Sequence, residues 1–397
     1  MRAPDAKTWV RVALVLAVVA FVTYMILIPA GDAILSSFRG QPKKILQIQN
    51  ELTLAENIRL RTIEGVTAFW FFAFGAAIGS FLNVVVYRMP MGESLVFKRS
   101  RCPMCGTQIS GRDNVPILGW LMLGGRCRTC GGSIPLRYPA IELIVGSLFL
   151  LLYYAELISG GANLPIRRPN DYAGVVWIIF YTKWDLVAIY LFHCSMLSIL
   201  LALALIDLDG KRLPMKSLTL FGLLQAIPAC LFPQLLLVRV PLQSFGTPMP
   251  TWAQPLATVL VGALFGLLST IAISGAIRQA AFAETHFGAG LMLIGSCLGW
   301  QAVLASLLIT LVLKLGAFLV GKWGTRDRLP EESFAELPQL DEEGGNARVV
   351  DEEANATMDP NLGQVHVRTL IFPLSMFLFI AAAIHQVVWS WLFHFIG

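Results

Sequence analysis

About nine apolar runs, most long enough to cross a bilayer, alternate with polar links along this chain, and that alternation restricts its fold more than any other feature. Inside hydrocarbon every backbone N–H and C=O must find a partner within the protein, so such runs must be helices or closed barrels. The runs are Trp9–Ala30, Val66–Tyr87, Ala140–Tyr154, Leu186–Leu205, Leu218–Leu237, Leu256–Ile277, a short seventh in the Gly-rich stretch after His286, an eighth ending near Val320, and Leu370–Phe395. The expected class is an all-α polytopic membrane protein with about nine transmembrane helices. Only 14% of the 397 residues are charged and 56% are hydrophobic, which excludes an ordinary soluble domain. The net charge of +5 sits mostly in loops. It reads as topology, and no nucleic-acid partner is expected.

One link carries chemistry of its own. Arg101–Glu142 holds two Cys-x-x-Cys pairs, Cys102/Cys105 and Cys127/Cys130, with 21 residues between them. Each pair is followed by a small residue, Gly106 in the first case and Gly131–Gly132 in the second. Two such turns bring four thiolates around one ion in the tetrahedral Cys₄ shell that Zn²⁺ prefers, and these four cysteines are the expected structural zinc ligands. Two disulfides or four unrelated cysteines are the alternatives. Lys98, Arg99, Arg101, Arg112, Arg126, Arg128 and Arg137 outnumber Glu93 and Asp113 here, which places the loop on the cytoplasmic side, where thiols stay reduced. Cys194, Cys230 and Cys297 lie singly in apolar runs and read as core residues.

The remaining polar segments divide the chain. Arg2, Lys7 and Arg11 put the N-terminus of the first run inside, and residues 31–63 read as a short amphipathic segment, so 1–63 forms an N-terminal unit of its own. Region 64–156 contains the second and third spans and the zinc loop (101–142). Gly75, Ala76, Ala77, Gly79 and Ser80 in the second span allow close helix approach, and Asn83 should face protein rather than lipid. Glu142, near the start of the third span, is expected to be interfacial or paired with a loop arginine. Residues 157–183 form an insertion with interfacial aromatics, 184–320 a membrane core, and 367–397 a last span. Residues 321–366 carry eleven Asp or Glu and no apolar run, a composition that cannot bury enough surface to fold. With nine spans and the N-terminus inside, 89–137, 207–216, 278–287 and 321–368 share the cytoplasmic side, so the zinc loop and Asp207 face one compartment.

The segments GSFLNVVVYRMP, CPMC, DNVPILGWLMLGGRCRTCGGSIPLRYPAIE and IDLDGKRLP resemble, in order and spacing, the bacterial prepilin leader peptidases, membrane aspartic endopeptidases of type IV pilus and type II secretion systems. The resemblance covers about residues 66–320 and the start of the last span. It implies a multi-pass protein of the bacterial inner membrane that cleaves the basic leader of pilin-like precursors at the cytoplasmic face. It extends to N-methylation of the new amino terminus with S-adenosylmethionine, for which the sequence shows no nucleotide-type motif. It also implies two aspartates that share a proton and titrate as a pair. One corresponds to Asp207, seven residues before Pro214, while Asp209 is expected to be solvated. Met215 stands where the family often has an aspartate.

The second family aspartate sits in a Gly-x-Gly-Asp stretch upstream of a segment that survives here as IGSCLGWQ. Allowing a two-residue deletion, Ala289 takes its place; without a gap, Phe287 does. The carboxylate is absent in both alignments, and Glu284 and His286 are the nearby groups that offer a replacement. Two functions follow. One is an active leader peptidase, and the other is a non-catalytic homologue that binds or scaffolds pilin-like substrates.

Overall fold

The computed structural model describes residues 54–95, 100–102, 104–165, 174, 182–240, 250, 252–277, 286–324 and 373–396. Among them every regular element is helical. α1 spans Leu54–Arg88, α2 Leu118–Leu123 and α3 Arg137–Leu152, the last continuing into a π-helical turn at Tyr153–Ile158. α4 (Trp184–Leu208), α5 (Met215–Leu231), α6 (Ala253–Ile277), α7 (Phe287–Leu298), α8 (Trp300–Gly324) and α9 (Leu374–Ile396) follow. Among the described residues, five helices are long and apolar enough to cross a membrane: Ile58–Met91, Arg137–Ile158, Trp184–Leu208, Ala253–Ser274 and Trp300–Leu319. α5, α7 and α9 are shorter apolar helices on expected spans. The expected first span, most of the 157–183 insertion and nearly all of the acidic 321–366 segment lie outside the described residues.

Two boundaries differ from expectation. Residues 54–63 are not a separate amphipathic piece, because α1 runs through them without a break into the second span. Pro228 lies within α5, which ends at Leu231 because a second proline, Pro233, opens a new 3₁₀ turn where a helical N–H would be needed.

The chain divides into two compact units, Met1–Thr310 with Pro373–Gly397, and Leu311–Phe372. The second holds the C-terminal part of α8. In the first, α4 is the axis of the core: 89% of its apolar window is buried, against 22% for α6. Lipid-like apolar solvent gives no hydrophobic drive between helices, so close approach and interhelical hydrogen bonds must do that work. Small residues provide the approach. A methyl group on Gly79 would stand 2.8 Å from Glu142 Cα, so α1 and α3 meet nearly backbone to backbone. α6 and α7 do the same where Gly262 lies against the Gly295 carbonyl.

Hydrogen bonds provide the rest. Asn83 Nδ2 donates to the Tyr138 carbonyl at 3.3 Å, facing protein as its sequence context required. Tyr190 Oη donates to the Phe149 carbonyl at 3.1 Å, and Asn163 Nδ2 reaches the Gln386 carbonyl on α9 at 2.9 Å. Deepest is the pair of Glu156 and His193, 2.7 Å apart and both fully buried, with His193 and His385 each resting against the Trp389 ring. Removing one partner of such a pair strands the other in apolar surroundings, at about 3–5 kcal/mol. Thermal unfolding in detergent should therefore show Glu156→Ala lowering the midpoint more than the double replacement Glu156→Leu/His193→Leu does.

Candidate active site and metal centre

The Cys-x-x-Cys turns fold as two copies of one knuckle. In the first, Cys102 N–H donates to the Thr107 carbonyl at 2.9 Å and Gly106 N–H returns to the Cys102 carbonyl at 2.9 Å. In the second, Cys127 N–H donates to Gly132 and Gly131 N–H to Cys127, at 2.8 and 2.9 Å. Gly106 and Gly131 have φ of 68° and 70°, a left-handed conformation that a side chain at either position would strain. The small residue behind each pair is thus a geometric requirement. The segment between the knuckles turns back through α2, whose Trp120 Nε1 donates to the Ile134 carbonyl at 2.9 Å.

The result is convergence. One sulfur from each of Cys102, Cys105, Cys127 and Cys130 lies within 4.8 Å of all the others, and all four are free thiols. Hydrogen bonds from Thr107 draw the Cys105 thiol down to about 6. The Gly132 amide pulls Cys130 down as well, but the surrounding thiols and burial leave it pushed up to about 11. Four thiols this close cannot all ionise without a cation between them, so the donor set suits a metal ion.

Three polar anchors hold the module, the first within it and the other two to the membrane helices. Asp113 accepts two hydrogen bonds from Arg128, at 2.6 and 2.9 Å, which ties the start of the inter-knuckle segment to the second knuckle. Glu142 on α3 accepts the Ile117 N–H at 2.6 Å. Of the two expectations for Glu142, interfacial or paired with a loop arginine, the pairing is made instead with a backbone amide. Ile117 has φ of 63°, costly for a β-branched residue, and the buried carboxylate helps hold it there. The third anchor is Arg137, the first residue of α3, which makes a two-pronged ion pair with Asp209, its Nη2 standing 3.0 Å from Oδ2. Asp209 is accordingly a clamp residue with a side chain only 18% exposed, where sequence context pointed to a solvated one.

That clamp leads to Asp207. This carboxylate sits in the last turn of α4 with its side chain 2% exposed. His286, the residue that caps the start of α7, meets it with three contacts. Its backbone N–H lies 3.0 Å from each carboxylate oxygen, and its Nδ1 lies 2.6 Å from Oδ1. On the far side of the ring, Nε2 accepts the Leu213 N–H at 3.0 Å. Leu213 belongs to the loop that follows Asp207, where Lys211 lies over the Tyr87 ring at the end of α1, 5.1 Å from its centre. Among the described residues, His286 is the ionisable side chain hydrogen-bonded to Asp207. Ala289 and Phe287, the positions aligned with the absent aspartate, lie on α7, Ala289 packed against the core and Phe287 1% exposed. Glu284, the other group considered, lies outside the described residues. Sequence reading did not reach Leu213, because a backbone donor leaves no residue-type signal.

A family model described as the Bacterial Peptidase A24 N-terminal domain matches residues 73–156, which contain the knuckles and both flanking helices. The prepilin leader peptidase/N-methyltransferase of Klebsiella pneumoniae is 34% identical over 252 residues, covering 60% of this chain and 88% of that protein. The chain belongs to the prepilin leader peptidase family. The relative of the same description in Myxococcus xanthus is 34% identical over 245 residues, 61% of this chain and 59% of that protein, and the one in Dickeya chrysanthemi is 30% identical over 275 residues, 62% and 80%. The chain thus spans about three fifths of the Myxococcus xanthus relative and most of the other two. No solved structure matches the chain.

Two measurements test the loop of this family member. Loading the purified protein with Co²⁺ should give thiolate charge-transfer and tetrahedral d–d absorption at about one ion per chain, and Cys102→Ser should weaken both. The Arg128 guanidinium holds Asp113 down at about 2, below its ordinary 3.8, so this tie is fully present above about pH 4 and is lost as pH falls toward 2. Asp113→Asn should therefore make the knuckles more susceptible to proteolysis from pH 7 down to pH 5, whereas wild type should not change over that interval.

Proposed function

We propose that this protein is a prepilin-type leader peptidase of the bacterial inner membrane. It cuts the basic leader from pilin-like or type II secretion pseudopilin precursors, with Asp207 as its proton-handling carboxylate. The observation that carries this reading is the setting of Asp207. It is a carboxylate all but removed from solvent at the end of the most buried helix, held by three N–H contacts and placed next to a loop clamped to the Cys₄ module. Ionisable groups in such places are expensive and are kept for chemistry more often than for packing.

Four thiolates in two knuckles suit Zn²⁺, in a structural role. The ion would cross-link the ends of a long loop and hold Arg137 toward Asp209. In the proposed topology of nine spans, the zinc loop and Asp207 share the cytoplasmic side, where a basic leader would arrive. N-methylation with S-adenosylmethionine is part of this proposal only through the names of the relatives. The non-catalytic alternative arose from the missing second carboxylate, and the position beside Asp207 is filled by His286.

The test is cleavage of a purified pilin-like precursor by the protein in detergent. Wild type should release the leader. Asp207→Asn should lower kcat by about 10³-fold or more, because members of a catalytic unit lose most of the rate together. Absence of leader release by wild type would favour a binding or scaffolding role.

A further inference from the structure

We infer that His286, in its neutral Nδ1–H form, polarises the scissile carbonyl, so that hydrolysis at this site runs on one carboxylate and one imidazole. This inference rests on the leader-peptidase reading of Asp207 and adds the second reacting group to it.

The tautomer follows from the hydrogen bonds. A peptide N–H can only donate, so the Leu213 amide 3.0 Å from Nε2 requires a lone pair on that nitrogen. The ring proton is then on Nδ1, which is 2.6 Å from Asp207 Oδ1 and donates to it. Protonating Nε2 would set two donors against each other in a buried pocket. The backbone holds the ring firmly, since the His286 carbonyl accepts the Gly290 N–H at 3.0 Å and Phe287, the next residue, is 1% exposed. The ring thus has one hydrogen-bond donor, and it points at the reactive carboxylate. A neutral imidazole whose other nitrogen is held by a backbone donor can polarise a carbonyl without giving up its proton.

The step balances with no second carboxylate. Asp207 takes a proton from a water molecule as its oxygen bonds to the carbonyl carbon, and the C=O π pair moves onto the carbonyl oxygen. That oxygen accepts a hydrogen bond from Nδ1–H, which exchanges the carboxylate for it as partner. When the C–N bond breaks, the proton on Asp207 passes to the leaving nitrogen, and the new carboxyl group loses its own proton to solvent. His286 ends the cycle as it began. In the alternative, His286 only positions Asp207 and braces the Leu213 loop.

Two amide substitutions separate these roles, because the Asn Nδ2 group superimposes on Nδ1 of the ring whereas the Gln Oε1 group reaches the site of Nε2. With wild-type protein cleaving a pilin-like precursor, His286→Ala should lower kcat by about 10²–10³-fold, the cost of one transition-state donor. His286→Asn should recover most of that loss in kcat. His286→Gln, which restores an acceptor for Leu213, should recover stability and little kcat. His286→Asp should add an alkaline limb to the pH profile, because two carboxylates must share a proton to work. Independently, ¹⁵N-histidine NMR of the detergent-solubilised protein should show a neutral Nδ1–H ring, assigned by its loss in His286→Asn. The inference is overturned if His286→Ala keeps wild-type kcat, if Gln rescues kcat and Asn does not, or if the ring proton is found on Nε2. In each of these cases the peptidase reading stands. If wild type itself does not cleave, that reading falls and the inference with it.

Discussion

The ion pair between Arg137 and Asp209 is the joint on which the arrangement of this molecule turns. On one side it ends the zinc-type module, and on the other it sits two residues from Asp207. An Arg fork on a carboxylate fixes direction as well as distance, which a single point contact would not do. Several contacts around Asp207 depend on that loop staying in place: the Leu213 amide on His286, Lys211 over Tyr87, and the exit into Pro214 and α5. The sulfur cluster can therefore matter to the site without touching it, as a staple holding one end of a strut.

Within the bilayer a different economy operates. Helices that find no advantage in apolar contact are joined by glycine crossings and by sparse, buried polar bonds. At the end of α4 away from Asp207, the Glu156–His193 pair ties the π-helical turn to α4, the Asn163–Gln386 contact ties the segment after that turn to the last span, and the His193 ring meets Trp389 of that span. One end of α4 thus carries the Glu156–His193 pair and the other the Asp207–His286 pair. Both of these pairs are buried and ionisable, so burial alone does not tell them apart. The distinction lies in the loop that surrounds Asp207.

Much of this was legible in the residues. Apolar runs gave the helices, small residues the α1–α3 crossing, and Cys-x-x-Cys spacing the converging sulfurs, because each depends on a local period or pair. Asp207 stands out through its place in a segment that resembles a family motif. The partners of Asp209 and Glu142 are not legible in the sequence, because Arg137 and the Ile117 amide are 72 and 25 residues distant and are joined only by the fold. His286 was weighed as one of two substitutes, and nothing in the chain could rank it above Glu284. Its contact with Asp207 comes from tertiary geometry, with the Leu213 backbone N–H as the partner on the far side of the ring.

That backbone atom has a consequence of its own. Apart from proline, no substitution at Leu213 deletes its N–H, so other drift in residue identity along the loop leaves the bond to His286 Nε2 in place. Chain length is another matter. Pro214 follows directly, and proline has no N–H to offer. Losing one residue between Asp207 and Leu213 would bring an imino nitrogen under Nε2 and release the ring to either tautomer. What is encoded between the aspartate and the proline is a count of peptide bonds more than a set of side chains, and insertions or deletions there are the changes this site can least absorb.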